Sequence, residues 1–192
     1  MGTLQNGLAW IFHIILEACE TLEAQLVLSL GGNFDPFAFS GAMGNPLIVK
    51  CAPQLEVLER STACITHAGL NSTLESLTLG VPLVAIPITN DQPAVAARVE
   101  WVGAGKSIPP KRLTVDRLGI ALQQILADPR YRASARRLQS EIAALHPLDH
   151  ASSVIESVLP HSTAVRAPVP QPYLIRDRAG IRSASANPSS HH

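Results

Sequence analysis

The chain has 192 residues, of which 46% are hydrophobic and only 16% are charged, with 15 Lys and Arg balancing 15 Asp and Glu. This length suits one packed domain with a tail and is too short for two full domains. The net charge of zero gives no electrostatic reason to expect nucleic acid or an anionic membrane as the main partner. The three cysteines form no CxxC pair and no Cys/His ligand spacing, so we expect no metal site and a reducing, cytoplasmic location.

The start of the chain predicts a helix that packs on a core. Apolar residues recur at three- and four-residue steps between Leu8 and Leu22, which is typical of a helix with one buried face. His13 interrupts this stretch and acidic residues follow it, which would be costly in a bilayer, so no transmembrane segment is expected. We interpret His13 as structural because it lies on this helix.

Short apolar runs alternate with helical patterns along the rest of the chain. The predicted strands are Gln25 to Leu30, Pro46 to Lys50, Thr62 to Thr66 and Val81 to Ile88. The predicted helices after the first are Leu74 to Leu79, Pro93 to Trp101, Thr114 to Ala127, Arg130 to Leu145 and Asp149 to Leu159. This alternation predicts an α/β fold with a Rossmann-like, doubly wound parallel sheet.

The composition changes near residue 160. Beyond it the sequence is rich in Pro, Ser, Ala and Arg and poor in large apolar residues, so it cannot bury enough surface to offset its ordering entropy. We therefore expect a folded domain over residues 1–159 and a disordered tail over residues 160–192.

The turn HAGLNST joins a predicted strand to a predicted helix, at the sheet edge where open α/β folds bind ligands. Gly69, Asn71 and Ser72 surround the helix start, whose unpaired N–H groups and partial positive charge suit a diphosphate. His67, at the strand end, would donate a hydrogen bond to the same phosphates. The sequence therefore predicts an anion site here.

Two further groups suit a sugar. Glu75, predicted in the first turn of the same helix, would accept hydrogen bonds from sugar hydroxyls. Asp91 and Gln92 follow the next strand at the same edge, and a carboxylate beside a carboxamide suits a hexose. Taken singly, each of these residues is more typical of a helix cap or a structural role. Taken together, their order and spacing favour a ligand site.

Several motifs together resemble the donor-binding signature of the UDP-glycosyltransferase family. They are Ala52-Pro53-Gln54, Thr66-His67-Ala68-Gly69-Leu70-Asn71-Ser72-Thr73 with Glu75, Gly80-Val81-Pro82 and Asp91-Gln92. The resemblance covers roughly residues 2–145, because Gly2-Thr3 matches the loop after the first strand of that family's C-terminal domain. The phrases ITHAGLNSTLESL and GVPLVAIPITNDQPAVAAR look most like bacterial zeaxanthin (carotenoid) glucosyltransferases and macrolide-type glycosyltransferases.

The resemblance implies a GT-B fold, of which this chain would be the C-terminal, donor-binding half. The positions that it assigns to the donor are Thr3, Gln54, His67, Gly69, Asn71, Ser72, Glu75, Asp91 and Gln92. By this resemblance, His67 and the turn after it would bind the diphosphate and Glu75 the ribose. Asp91 with Gln92 would bind the transferred sugar, and Gln54 would line the uracil pocket.

Thr3, by the same resemblance, would approach the phosphates or the acceptor cleft. The implied reaction is inverting transfer of a hexose, with glucose expected, from a UDP-sugar to a hydroxyl of a small lipophilic acceptor such as a carotenoid. No cofactor and no metal is implied. The catalytic base would lie on a separate N-terminal acceptor domain. Because the acceptor is lipophilic, peripheral contact of the enzyme with a membrane stays an open alternative.

Two departures from the family pattern stand out. Cys51 replaces the Trp that commonly precedes the Ala-Pro-Gln triplet, which would remove about 1 kcal/mol of stacking on the uracil. The acceptor domain and the interior strand that should precede Gly2-Thr3 are absent, which would leave neighbouring strands unpaired. We therefore expect a C-terminal portion of an enzyme that binds UDP or UDP-sugar weakly and turns over negligibly alone.

Three other interpretations stay open at this point. The chain would also suit a non-catalytic, nucleotide-sugar-binding subunit that pairs with a separate acceptor-domain chain. A sugar-nucleotide epimerase shares the fold class, but the HAGLNST turn and Asp91-Gln92 argue against it. If UDP does not bind, the remaining interpretation is an α/β nucleotide-binding domain of unknown activity.

Overall fold

The computed structural model describes residues 8–31, 34–39 and 41–159. The strands in this part of the chain are β1 (Val27–Ser29), β2 (Leu47–Val49), β3 (Cys64–Thr66), β4 (Leu83–Ala85) and β5 (Gly105–Ser107). The α-helices are α1 (Ala9–Cys19), α2 (Gln54–Glu59), α3 (Leu70–Thr78), α4 (Gln92–Trp101), α5 (Val115–Ala127), α6 (Pro129–Ala144) and α7 (Pro147–Val158). All the strand pairs are parallel, which confirms the predicted α/β class. The predicted tail over residues 160–192 lies outside the described residues.

Helices cover both faces of the sheet, as the side chains of β4 demonstrate. Val84 of β4 and Ile86, which lies just after the strand, belong to the larger core together with residues of α1 and α5. Leu83 packs on the opposite face with Leu77 of α3 and Val99 of α4. Because successive side chains of a strand point to opposite faces, a wholly apolar strand requires cover on both sides. The doubly wound arrangement predicted from the sequence is therefore confirmed.

The strands form two parallel sheets rather than one continuous sheet. β1 pairs with β2, and β3, β4 and β5 follow one another in the second sheet. The two sheets share the larger core, which contains Leu28 of β1 and Val84 of β4. In a doubly wound fold the first strand lies between the second and the fourth. β1 and β3 hold those two positions, so among the described residues the interruption lies at the position of the first strand.

The sequence patterns do not predict β5 or α2. β5 contains Gly105 and Lys106, which are poor strand formers, and it exists because Gly105 lets two backbones approach closely. A Cβ atom added at Gly105 would lie 2.2 Å from the carbonyl oxygen of Leu83. α2 has only six residues, too few for an apolar period to be visible.

The start of α3 differs from the prediction. The helix begins at Leu70 rather than at Leu74, with Gly69 as its N-cap residue. Asn71 therefore lies in the first helical turn, and Glu75 lies in the second turn rather than in the predicted first. Small polar residues are common both in turns and in the first turn of a helix, so their presence alone does not locate the boundary.

Side chains cap two later helices. The Thr114 hydroxyl accepts a hydrogen bond from the N–H of Arg117 at 3.3 Å, at the start of α5. The carboxylate of Asp128 accepts one from the N–H of Arg130 at 3.0 Å, at the start of α6. These short polar side chains satisfy N–H groups that have no partner within the helix.

Replacing Gly105 with Ala should destabilise the fold by about 2 kcal/mol, because the new methyl group would force β5 away from β4. Chemical denaturation followed by circular dichroism would measure this loss. Gly41→Ala is the matched control, since a Cβ atom there would meet no other atom within 4 Å. Equal stability of the two variants would contradict the close approach at Gly105.

Candidate functional site

The candidate site lies where β3 and β4 end. Each strand leads through a loop into a helix, β3 into α3 and β4 into α4, and both loops leave the same edge because the strands are parallel neighbours. Each loop contains a residue other than glycine with a left-handed backbone, Ala68 with φ 63° and Asn90 with φ 57°. Such conformations cost on the order of 1 kcal/mol each and concentrate at functional sites.

The amino end of α3 offers unpaired N–H groups. The N–H of Thr73, bonded to the carbonyl of Gly69 at 3.0 Å, begins the helical hydrogen bonding. The N–H groups of Leu70, Asn71 and Ser72 precede it and have no acceptor within the helix. No side chain caps α3, in contrast to α5 and α6. These donors and the positive end of the helix dipole are thus available to an anion.

The imidazole of His67 packs directly over Gly69. A Cβ atom at Gly69 would lie 2.5 Å from Nε2 and 3.0 Å from Cε1 of His67, so only glycine allows this ring position. Burial lowers the pKa of His67 from its ordinary value of 6.5, while the nearby Asp91 carboxylate acts in the opposite direction. His67 is therefore neutral at pH 7 and has one N–H group to donate beside the start of α3.

Three predicted site residues meet near the starts of α2 and α3. The side-chain N–H₂ of Gln54, the first residue of α2, donates to the hydroxyl of Ser72 at 3.1 Å and to a carboxylate oxygen of Glu75 at 2.5 Å. Ser72 and Glu75 are three positions apart on α3, so they share one face of that helix. The structure thus brings together residues that lie far apart in the sequence.

Gln92 is buried and braces the loop after β4. Its side-chain carbonyl oxygen accepts hydrogen bonds from the N–H groups of Ile88 at 2.8 Å and Thr89 at 3.0 Å. Only its N–H₂ group remains for a ligand, which the sequence does not reveal. Asp91, the preceding residue, is exposed. The loop therefore presents a free carboxylate on a backbone that Gln92 holds in place.

The remaining predicted positions are less constrained. Asn71 is exposed on the first turn of α3, and Cys51, where the family commonly has Trp, is also exposed. Thr3 lies outside the described residues. No pattern in the sequence indicates the left-handed backbone of Ala68, because alanine has no preference for that conformation. The hydroxyl of Thr73 is buried without a hydrogen-bond partner among the described residues.

Two classes of site find no support in the described part of the chain. Residues 8–31, 34–39 and 41–159 contain no group of three or more His, Cys, Asp and Glu side chains placed to hold a metal ion. None of the helices described there is long and apolar enough to cross a membrane.

The geometry agrees with what comparison with known proteins reveals. A family model for UDP-glucoronosyl and UDP-glucosyl transferases matches residues 13–169. The chain belongs to this family. The NDP-glycosyltransferase YjiC of Bacillus licheniformis is 35% identical over 159 residues, which is 83% of this chain and 40% of that protein. The zeaxanthin glucosyltransferase of Pantoea ananas is 27% identical over 161 residues, which is 83% of this chain and 37% of that protein.

A solved structure supports the same fold. The crystal structure of the glycotransferase of kitacinnamycin superposes with a TM-score of 0.76 and 32% identity, covering 83% of this chain and 42% of that one. The resemblance in the sequence is thus confirmed: the chain is a glycosyltransferase by family, with the fold of the C-terminal half of a GT-B enzyme. It spans about 40% of the length of the curated relatives that it matches.

The titration of His67 provides a direct test of the site's electrostatics. We expect its pKa in the folded protein to lie below 6.5, and Asp91→Asn to lower it further by removing the carboxylate that favours the imidazolium. The neutral ring then contributes stability that is present above the unfolded pKa and is lost as pH falls through the folded pKa. An NMR titration of the His67 ring would measure both values.

A pKa of His67 above 6.5, or one that rises in Asp91→Asn, would contradict the described environment.

Proposed function

We propose that this chain is the donor-binding part of an inverting UDP-glycosyltransferase that transfers a hexose, with UDP-glucose as the expected donor. The observation that carries the proposal is the uncapped start of α3 beside a neutral His67. Preorganised N–H groups without protein acceptors are suited to a diphosphate, and the helix dipole adds to the attraction. A half-buried histidine ring fixed over Gly69 adds a further donor.

The other polar groups of the edge suit the two ends of a nucleotide sugar. Glu75, linked to Gln54, offers carboxylate oxygens that accept hydrogen bonds from ribose hydroxyls. Gln54 begins α2 next to Cys51, where the uracil would lie. Asp91, exposed on the loop that Gln92 braces, would accept hydrogen bonds from the hexose. In this arrangement the ribose and uracil lie on one side of the diphosphate and the hexose lies on the other.

The reaction needs one group that these residues do not supply. A base removes the proton of the acceptor hydroxyl, the oxygen attacks the anomeric carbon, and the bond from that carbon to the diphosphate breaks with inversion. The N–H groups at the start of α3 and the N–H of His67 stabilise the negative charge that develops on the departing UDP. We expect the base to belong to the acceptor side, in the length of the relatives that this chain does not span.

A small lipophilic alcohol is the acceptor class that we propose. Support comes from the family resemblance and from the 27% identical relative named a zeaxanthin glucosyltransferase, so a carotenoid is the first acceptor to test. Such an acceptor would bring the enzyme to a membrane surface by peripheral contact. In the proposed arrangement, the residues that touch the acceptor lie on another domain.

Calorimetric titration with UDP, UDP-glucose and GDP tests donor binding. We expect the uridine nucleotides to bind more tightly than GDP, and His67→Ala to weaken UDP binding by about 10- to 100-fold, since a hydrogen bond to a charged group contributes about 1.5–3 kcal/mol. Gly69→Ala keeps the histidine but displaces its ring, so it should weaken UDP binding as well.

His150→Ala, on exposed α7, should leave UDP binding unchanged. If His67→Ala and His150→Ala bound UDP equally well, the diphosphate would not lie beside His67 and the proposal would fail.

The 192-residue protein alone should transfer no measurable glucose, because the proposed base lies elsewhere. Incubation of the pure protein with radiolabelled UDP-glucose and zeaxanthin, followed by extraction of the carotenoid, would measure transfer. Robust acceptor-dependent transfer would contradict the placement of the base outside these residues.

A further inference from the structure

The side chain of Gln54 connects the two helices that border the candidate site. Its N–H₂ group donates one hydrogen bond to the hydroxyl of Ser72 at 3.1 Å and one to a carboxylate oxygen of Glu75 at 2.5 Å. Gln54 is the first residue of α2, whereas Ser72 and Glu75 lie on one face of α3. One amide group therefore holds two α3 side chains that suit different parts of a nucleotide sugar.

The chemistry of Glu75 fixes the orientation of the Gln54 amide. An ionised carboxylate only accepts hydrogen bonds, so the atom of Gln54 that faces it is the N–H₂ nitrogen and not the carbonyl oxygen. Both hydrogens of this nitrogen are then used within the protein. The amide nitrogen of Gln54 therefore cannot donate to a nucleotide unless it releases Ser72 or Glu75.

The hydroxyl of Ser72 is left as a hydrogen-bond donor. It accepts from Gln54, and within the described ranges it donates to no other group of the protein. A hydroxyl has a single hydrogen to donate, and here that hydrogen remains free for a ligand. Ser72 lies in the first turn of α3, so its hydroxyl and the unpaired N–H groups there are available to the same anion.

Glu75 is held through one oxygen only. Its side chain is half-buried, and none of the ion pairs formed by the described residues involves it. Because Gln54 bonds to one carboxylate oxygen, the other oxygen can accept hydrogen bonds from ribose hydroxyls. A glutamate side chain that nothing holds would lose rotamer freedom on binding, and the hydrogen bond from Gln54 removes part of that loss beforehand.

We propose that Gln54 is a positioning residue for donor selectivity, which acts through Glu75 to favour ribonucleoside diphosphates over their deoxy analogues. The inference rests on the proposed function, because it concerns the same site. With Gln54 in place, the carboxylate of Glu75 is oriented before the ribose arrives. A ligand without ribose hydroxyls gains nothing from that carboxylate and removes water from it without replacing the lost hydrogen bonds.

Calorimetric titration of the 192-residue protein with UDP and with 2′,3′-dideoxy-UDP measures this selectivity. The two ligands differ only in the ribose hydroxyls, so the ratio of their dissociation constants separates hydroxyl recognition from contacts with the base and the diphosphate. We expect the unaltered protein to bind UDP at least about tenfold more tightly. Gln54→Ala should lower the ratio about fivefold, which is the typical effect of fixing one side chain in advance.

Gln54→Glu is the second test variant. It keeps the length of the side chain but replaces the N–H₂ group with a carboxylate, which repels the carboxylate of Glu75. The ratio should therefore fall at least as far as in Gln54→Ala. Because each variant is compared with itself on two ligands, a loss of stability alone would not change the ratio.

A double variant distinguishes positioning from direct contact. If Gln54 acts through Glu75, then Glu75→Ala removes most of the selectivity, and adding Gln54→Ala lowers the ratio no further. The matched control is Glu56→Ala. Glu56 is exposed in the first turn of α2, two positions from Gln54 and hence on another face of the helix, so this variant should keep the ratio of the unaltered protein.

Three results would overturn the positioning role while leaving the proposed function intact, provided that UDP binds. They are a ratio near one in the unaltered protein, an unchanged ratio in Gln54→Ala, and a further fall in the double variant, which would assign Gln54 a direct contact with the ribose. If neither UDP nor UDP-glucose bound to the unaltered protein, the proposed function would fail and this inference would fail with it.

Discussion

The parallel pairing of β3 with β4 is the constraint on which the candidate site depends. Hydrogen bonds from Cys64 to Pro82 and from Ile86 to Thr66 fix the register of the two strands. Because both strands run in the same direction, the loops after them leave the sheet at one edge, and the helices that follow begin there. The N–H groups of α3 and the carboxylate of Asp91 are brought to one place by this pairing alone.

Core packing and side-chain hydrogen bonds hold two residues at that edge in a left-handed backbone conformation. Ala68 is fully buried in a small cluster with Ala85 and Ala96, and this packing holds its left-handed conformation. On the second loop, the buried Gln92 accepts two backbone hydrogen bonds close to Asn90, the other left-handed residue. Contacts within the protein thus hold both loops without a ligand, which reduces the entropy that binding would otherwise cost.

The donor site and the interruption of the sheet are adjacent features. His67 follows β3, the strand that borders the interruption between the two sheets and leads to α3. The position of β3 in its sheet therefore also sets the position of the imidazole after it. Assembly of the sheet and binding of the donor are expected to be coupled through this one strand.

The sequence by itself determined the α/β class, the order of most elements and the family, because apolar periods and the spacing of HAGLNST and Asp91-Gln92 are local patterns. Only the tertiary structure decided that β5 is a strand, since its pairing depends on a close approach at Gly105 to a distant carbonyl. The tertiary structure likewise decided that Gln54 donates a hydrogen bond to Glu75, and that the side chain of Gln92 accepts one from the backbone of its own loop. Such contacts join residues across the chain, and composition or periodicity within one segment does not encode them.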